Sequence, residues 1–257
     1  FSEHYEPVET PVSSHPFSNQ LNSPCFKSVS SDMDRLAKPA DPNYPIVLTT
    51  YSITEHWCGG GETRNVPNLL EAERLIGMAV DKGSKLVVLP ENFAIMGMSE
   101  RDMVMVREPE GDGPIQAFLA EQAVRHGIWL VGGTIPLVAN AQDKIRAVCL
   151  VFDSDGRQVA RYDKIHLFDA RIIDSNERYT ESETIEPDDK VVVVDTPFGR
   201  MGLAVCYDLR FPELFRQQLD KGMELLALPA AFTAITGRAH WEILVRARAI
   251  ENLCYVA

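Results

Sequence analysis

At 257 residues, 45% of them hydrophobic and 24% charged, the chain has the apolar material for a sizeable core and the length of one or two domains. A formal charge of −12 speaks against a nucleic-acid partner, since no segment supplies the basic stripe that phosphate neutralisation needs; an anionic small substrate fits only a locally basic pocket. No apolar run approaches the roughly 20 residues of a membrane span, and no basic stretch leads into an apolar one at the N-terminus, which speaks against an anchor or a signal peptide.

Residues 1–45 are crowded with Pro, Ser, Asn and His and lack helical or strand periodicity, the composition of a disordered extension. The chain begins with Phe1 rather than Met, which points to something removed upstream. From Ile46 to the end, short apolar runs alternate with amphipathic stretches, and this part reads as the folded domain. IVLTTYS (46–52) reads as a first strand, followed by a Gly-rich loop and a helix whose apolar face carries Leu69, Ala72, Leu75, Ile76, Ala79 and Val80. LVVLP (86–90) lacks polar alternation, as in a strand covered on both faces. Ile115, Phe118, Leu119 and Gln122 mark a helix ending near Gly127, and IWLVGGT (128–134) is the next buried strand. AVCLVFD and QVARYDK, joined by DSDGR, read as a hairpin through an Asp-Gly turn. VVVVD (191–195) and MGLAVC (201–206) follow as strands about a Pro-Phe-Gly turn. Then come a helix in FPELFRQQLDKG, a strand in LLALP (225–229), a helix from about Trp241 to Glu251, and a final strand in CYVA. Ending on an apolar strand with no polar tail predicts that C-terminal sequence is missing. Mixed strands and helices give an α/β class with helices layered outside the sheets.

Of the five cysteines, at 25, 58, 149, 206 and 254, none has a paired short spacing, and three lie in or at the ends of apolar runs; this predicts free thiols and a reducing, cytoplasmic setting. Cys206 ends GLAVC and precedes YDLRFPELF, where Pro212 suits a first helical turn, so the thiol falls at a strand-to-helix junction. Unpaired N–H groups and partial positive charge there lower a thiol pKa and hold an oxyanion. Taken alone, a cysteine in an apolar run is more often an inert core residue. Glu91 follows LVVLP at the carboxyl end of a buried strand, where α/β sheets gather catalytic groups and where desolvation raises a carboxyl pKa toward that of a general base. A solvated loop glutamate fits the position equally well. Lys164 in RYDKIHLFD can stabilise an oxyanion, although most lysines are solvated surface charges. His166 and His240 read as structural, because neither His-x-x-x-His nor Cys-x-x-Cys spacing occurs and no metal site is indicated. GGG at 59–61 is too weak a signal for a nucleotide- or flavin-binding module.

Taken in order, LVVLPENF, YDKIHLFD and GLAVCYDLRFPELFR resemble the three signature segments of the nitrilase (carbon–nitrogen hydrolase) superfamily, and the likeness covers nearly all of 46–257. The resemblance implies a four-layer αββα sandwich, a homodimer or higher homo-oligomer assembled through the helix after the nucleophile, and a Glu-Lys-Cys triad falling on Glu91, Lys164 and Cys206. Glu181, in the YTES block, matches a supporting carboxylate. CYDLRFPELFR, AFTAITGRAHW and RARAIEN are most similar to the Nit branch, whose members act as ω-amidases on small α-keto acid amides or as deaminated glutathione amidases; on that likeness Arg210, Phe232 and Thr236 line the substrate pocket. Arg210 fits a structural salt bridge nearly as well.

The implied reaction has Cys206 attack an amide carbonyl after Glu91 takes its proton. Lys164 and the Tyr207 backbone N–H hold the oxyanion, ammonia leaves, and Glu91 activates water against the thioester. No metal or organic cofactor is required, because each polar role has a side chain or backbone donor. Two competing readings remain open: an N-carbamoyl or aliphatic amide hydrolase with the same triad, and a catalytically silent scaffold of the same fold. Further strands that normally follow CYVA in the family are not in this chain, which predicts reduced stability or activity for it.

Overall fold

The structure, a computed structural model, describes residues 8–10, 26–28, 66–95, 100–172 and 177–257. The chain divides into two units, 1–43 and 44–257. In the first, strands β1 (Val8–Thr10) and β2 (Phe26–Ser28) pair in parallel. The stretch read as aperiodic thus contains two short strands; its other residues, the strand read at 46–52, the glycines at 59–61, Cys25 and Cys58 lie outside the described residues.

In the second unit, helix α1 (Val66–Asp81) turns Ala72, Ile76 and Ala79 inward, as the apolar spacing predicts. Strand β3 (Leu86–Val88) follows, then the short helix α2 (Glu100–Met105) and helix α3 (Pro114–His126). Pro114 opens α3 where a missing N–H costs nothing, and the buried Glu108 carboxylate accepts from the Ile115 and Gln116 N–H groups at 2.6 and 3.2 Å. Gly127 closes α3 in the left-handed conformation, φ 59°, which a residue with a Cβ adopts at a cost. Strands β4 (Trp129–Val131), β5 (Ile135–Val138), β6 (Ile145–Phe152) and β7 (Gln158–Asp163) complete a five-stranded sheet in the order β3-β4-β6-β5, with β7 also paired to β6. The β6–β7 hairpin turns where Asp-Gly predicts it: Asp153 Oδ1 accepts from the Asp155 and Arg157 N–H groups, both at 2.9 Å, and Gly156 takes φ 75°.

A separate antiparallel ribbon, β8 (Asp169–Ile172) with β9 (Glu177–Thr180), precedes the second sheet. That sheet runs β10-β11-β12-β13, from β10 (Val193–Thr196), β11 (Gly199–Leu203), β12 (Leu225–Ala227) and β13 (Tyr255–Val256). Helices α4 (Pro212–Asp220) and α5 (Glu242–Asn252) pack on it, α5 entered through a π-helical stretch at Gly237–Trp241. In this second unit strand β5, the ribbon β8–β9 and helix α2 escaped the sequence reading. Strand β5 contains Pro136, which survives at a sheet edge where no inward N–H is needed. The ribbon β8–β9 and helix α2 are too short and polar for a periodic signal.

Strand alternation sorts the apolar side chains into layers. Val87, Leu130, Val148 and Leu150 face α1 and α3 with Ile76, Leu119 and Ala123. Leu86, Val88, Val131, Cys149 and Val151 face the other way and meet Met201, Leu203, Leu225 and Ala227 of the second sheet. Ala204, Leu226 and Leu228 pack on Leu214 and Phe215 of α4 with Cys254. Helix, sheet, sheet, helix is the αββα order expected. Among the described residues no helix is long and apolar enough to cross a membrane.

Candidate active site

The carboxyl ends of β3, β7 and β11 open at one end of the layer between the two sheets, and each delivers one polar residue there. Leu89 and Pro90 carry the chain out of β3 to Glu91, which is buried. The loop is fixed on both sides. Gly133 (φ 55°) lies so close that a Cβ there would come within 2.0 Å of the Pro90 carbonyl oxygen, while the Asn92 N–H donates to Thr134 Oγ1 at 2.8 Å with Asn92 itself at φ 56°. Glu91 Oε2 accepts from the Ala231 N–H at 3.0 Å, beyond β12, which aims the other oxygen at Lys164.

Lys164, one residue past β7, is 1% exposed. Its Nζ donates to Glu91 Oε1 at 2.9 Å and to both oxygens of Glu181, at 2.9 and 2.8 Å. Burial alone pushes a lysine pKa down, but the charges of Glu91, Glu181 and Cys206 outweigh it and hold the ammonium above its ordinary range. Glu181, in the turn after β9, also accepts from the Phe168 N–H at 2.7 Å. Its carboxyl is pushed up, by burial first and the Glu91 charge second among the raising causes, with Lys164 opposing.

Cys206 does not continue β11. The strand ends at Leu203, and Cys206 takes φ 47°, opening a 3₁₀ turn over Cys206–Arg210 before α4 begins at Pro212. A non-glycine residue in that region stores about 1–3 kcal/mol, a strain that recurs where a side chain must be aimed into a site. The Cys206 side chain is buried. Its thiol is pushed well above the ordinary range, by burial first and the Glu91 charge second, against Lys164. This corrects the expectation that the junction would lower its pKa: the turn is too short to offset desolvation, so the sulfur rests as a thiol.

Arg210, Phe232 and Thr236 are the three further residues expected at a substrate pocket. The Arg210 guanidinium sits 5.7 Å from the Tyr207 ring centre and 5.4 Å from that of Phe232, and no carboxylate is within ion-pair distance of it among the described residues; its polar neighbour is His240 Nδ1 at 3.3 Å. Among the described residues no salt bridge to Arg210 is present. Thr236 sits on the helical turn Ala234–Thr236, its hydroxyl 2.8 Å from that of Thr233, with no contact to Arg210 or Phe232 among its hydrogen bonds. Sequence reading missed most of the residues that hold the cluster in place: Asn92, Gly133, Thr134, the Ala231 N–H, and Asp208 with Tyr162; His166, read there as structural, joins them. The GGT after β4 was the one visible signal. Among the described residues no group of three His, Cys, Asp or Glu side chains is arranged to hold a metal ion.

Comparison with known proteins agrees with this geometry. Residues 61–257 match the carbon-nitrogen hydrolase family. A deaminated glutathione amidase of Yersinia enterocolitica is 46% identical over 200 residues, 77% of this chain and 68% of that one. Omega-amidase NIT2-B of Xenopus laevis is 41% identical over 191 residues, 74% of this chain and 67% of its own. The crystal structure of Saccharomyces cerevisiae Nit3, a member of branch 10 of the nitrilase superfamily, superposes with a TM-score of 0.64 at 36% identity, covering 74% of this chain and 67% of that one. The match spans all three segments that carry Glu91, Lys164 and Cys206, and the chain therefore belongs to the carbon–nitrogen hydrolase family, the nitrilase superfamily, as a hydrolase of non-peptide carbon–nitrogen bonds in linear amides.

Proposed function

We propose that the protein is a cysteine-dependent amidase that hydrolyses the terminal amide of a small carboxylate-bearing substrate, in the class of deaminated glutathione or an α-keto acid ω-amide. The observation that carries this reading is a buried lysine bracketed by two carboxylates beside a strained, buried cysteine, with an arginine nearby that has no acidic partner among the described residues. The named relatives support the substrate class, and Arg210 supplies the local positive charge that an anionic substrate needs on a protein of net charge −12.

In this mechanism Glu91 takes the Cys206 proton as the sulfur attacks the amide carbonyl. The oxyanion is held by Lys164 and the Tyr207 backbone N–H, which donates to no carbonyl of another segment among the described residues. Glu91 returns the proton to the departing nitrogen, releasing ammonia from an unsubstituted amide or an amine from a substituted one, and leaves a thioester on Cys206. Water then gives a proton to Glu91 and its oxygen to the acyl carbon; as the C–S bond breaks and the acid departs, Glu91 returns that proton to the sulfur, which regenerates the thiol. Glu181 pins Lys164, and Phe232 with Thr236 bounds the acyl pocket. The three buried thiols Cys149, Cys206 and Cys254 are free, which supports a reducing, cytoplasmic setting. Ile243 and Ile250 of α5 are exposed apolar side chains suited to burial in a homodimer, which light scattering would test.

The test incubates wild type, Cys206→Ala, Glu91→Gln and Arg210→Ala with α-ketoglutaramate and deaminated glutathione, following product release and intact mass. Cys206→Ala is expected to lose activity on the order of 10⁴-fold or more. Glu91→Gln is expected to be impaired or to accumulate the acyl adduct. Arg210→Ala should raise KM by about 10- to 100-fold, the worth of one charged hydrogen bond. Wild type that turns over no amide and leaves Cys206 unmodified would refute the proposal.

A further inference from the structure

The proposed chemistry does not use the carboxylate that meets the most donors among the described residues. Asp208 is fully buried, and its two oxygens meet four donor positions. Oδ2 accepts from the Val205 N–H at 2.8 Å and from the Tyr162 hydroxyl at 2.6 Å. Oδ1 accepts from the His166 N–H at 3.0 Å and faces His166 Nδ1 at 2.7 Å. No arginine or lysine lies within ion-pair distance of it among the described residues; the side chain beside it is the His166 ring.

The placement of the donors gives this cluster its meaning. Tyr162 and His166 stand two residues before and two after Lys164, and Val205 immediately precedes Cys206. Tyr162 belongs to the first sheet, while Val205 and Cys206 leave the second. One carboxylate therefore ties both flanks of the lysine in one sheet to the nucleophile turn of the other. It also closes that turn, since its own N–H donates to the Val205 carbonyl at 3.0 Å and its carbonyl accepts from the Phe211 N–H at 2.9 Å. The His166 ring is held on its face as well, stacked on Phe211 with centroids 3.6 Å apart and planes 8° from parallel. The chemistry requires a carboxylate at this position. An ionised aspartate offers about four acceptor sites and no donor, whereas asparagine, turned either way, sets an N–H₂ group against donors.

We propose that Asp208 and His166 act as a positioning pair that fixes the strained Cys206 turn against Lys164 across the two sheets. The inference rests on the reading of Cys206 as nucleophile and deepens it. Neither residue touches the reacting atoms, so their effect should fall on kcat and on thiol geometry, not on substrate affinity. A misplacement of about 1 Å is enough to cost on the order of 10²-fold in rate.

The experiment measures kcat, KM, thermal midpoint and the rate of Cys206 alkylation by iodoacetamide, read by intact mass, for Asp208→Asn, His166→Ala and His166→Asn. Asp208→Asn and His166→Ala should lower kcat by about 10²-fold and alkylation by about tenfold, with KM within about threefold of wild type. His166→Asn should recover most of both, because its side-chain amide can donate where Nδ1 does. A merely structural role would instead lower the thermal midpoint and leave kcat and alkylation of the folded protein at wild-type values. If Asp208→Asn does not fold, the His166 pair decides: a folded His166→Ala within about threefold of wild type in both rates overturns the proposal. If wild type hydrolyses none of the amides while Cys206 alkylation still depends on Asp208 and His166, the substrate class fails and the positioning pair stands.

Discussion

Cys149 and Cys206 lie in the same apolar layer between the two sheets, yet they have opposite chemical standing. Cys149 sits in the middle of β6 among aliphatic side chains, and burial alone pushes its thiol up to about 12. Cys206 stands where a strand ends, and its thiol, equally disfavoured by burial, is coupled to Glu91 and Lys164 as well. Under the proposed mechanism, depth of burial therefore does not separate an inert thiol from a reactive one. What separates them is the end of the strand, where the backbone turns to φ 47° and where neighbouring strand ends can place a base and a cation within reach.

Exchanging each thiol for alanine is the sharpest way to break this comparison. Cys206→Ala should abolish turnover while shifting the thermal midpoint little. Cys149→Ala should keep the chemistry and lose about 1–2 kcal/mol of stability from the lost packing, measured by urea denaturation. Loss of activity in a folded Cys149→Ala would show that the two sites are not separable.

Removing the cation tests whether Lys164 is what distinguishes the strand end. Lys164→Met leaves Glu91 and Glu181 facing one another in a buried site. It should cost about 3–5 kcal/mol of stability and about 10²- to 10³-fold in kcat through the lost oxyanion donor. A variant as stable and active as wild type would remove Lys164 from both roles.

A smaller effect is expected from the support of the base. Gly133→Ala forces a Cβ toward the Pro90 carbonyl, so the Glu91 loop must shift. A drop of about 10- to 10²-fold in kcat should follow. A wild-type rate would mean that the loop tolerates the displacement.

The least dramatic test concerns Cys149 alone. A thiol whose folded pKa is about 12, against an ordinary value of 9.0, is neutral in the folded state where the unfolded chain ionises. Its contribution to stability is complete below pH 9 and is lost as pH rises from 9 toward 12. One pH unit into that window the loss amounts to about 1.4 kcal/mol. Cys149→Val should flatten the decline, checked by denaturation at both ends of the window. An unchanged slope would assign the decline to other groups.

The sequence by itself determined most of the layered architecture and the three segments that carry the chemistry. Uninterrupted apolar runs such as LVVLP announce strands covered on both faces, the apolar positions of α1 and α3 repeat at helical spacing, and Asp-Gly marks the β6–β7 turn. All these signals arise between residues close in the chain, which is why they are legible there. Glu91, Lys164 and Cys206 became candidates only as a set, through the likeness to a family, because each alone is as well explained by a loop carboxylate, a surface lysine or a core thiol. Only the tertiary structure decided that Glu91 and Glu181, ninety residues apart, share one ammonium, that Arg210 has no acidic partner among the described residues, and that Asp208 ties one sheet to the other. The physical reason is that hydrogen bonds and electrostatic shifts depend on distances of a few ångströms between strand ends. Those distances are set when two sheets pack face to face, and no local periodicity records them.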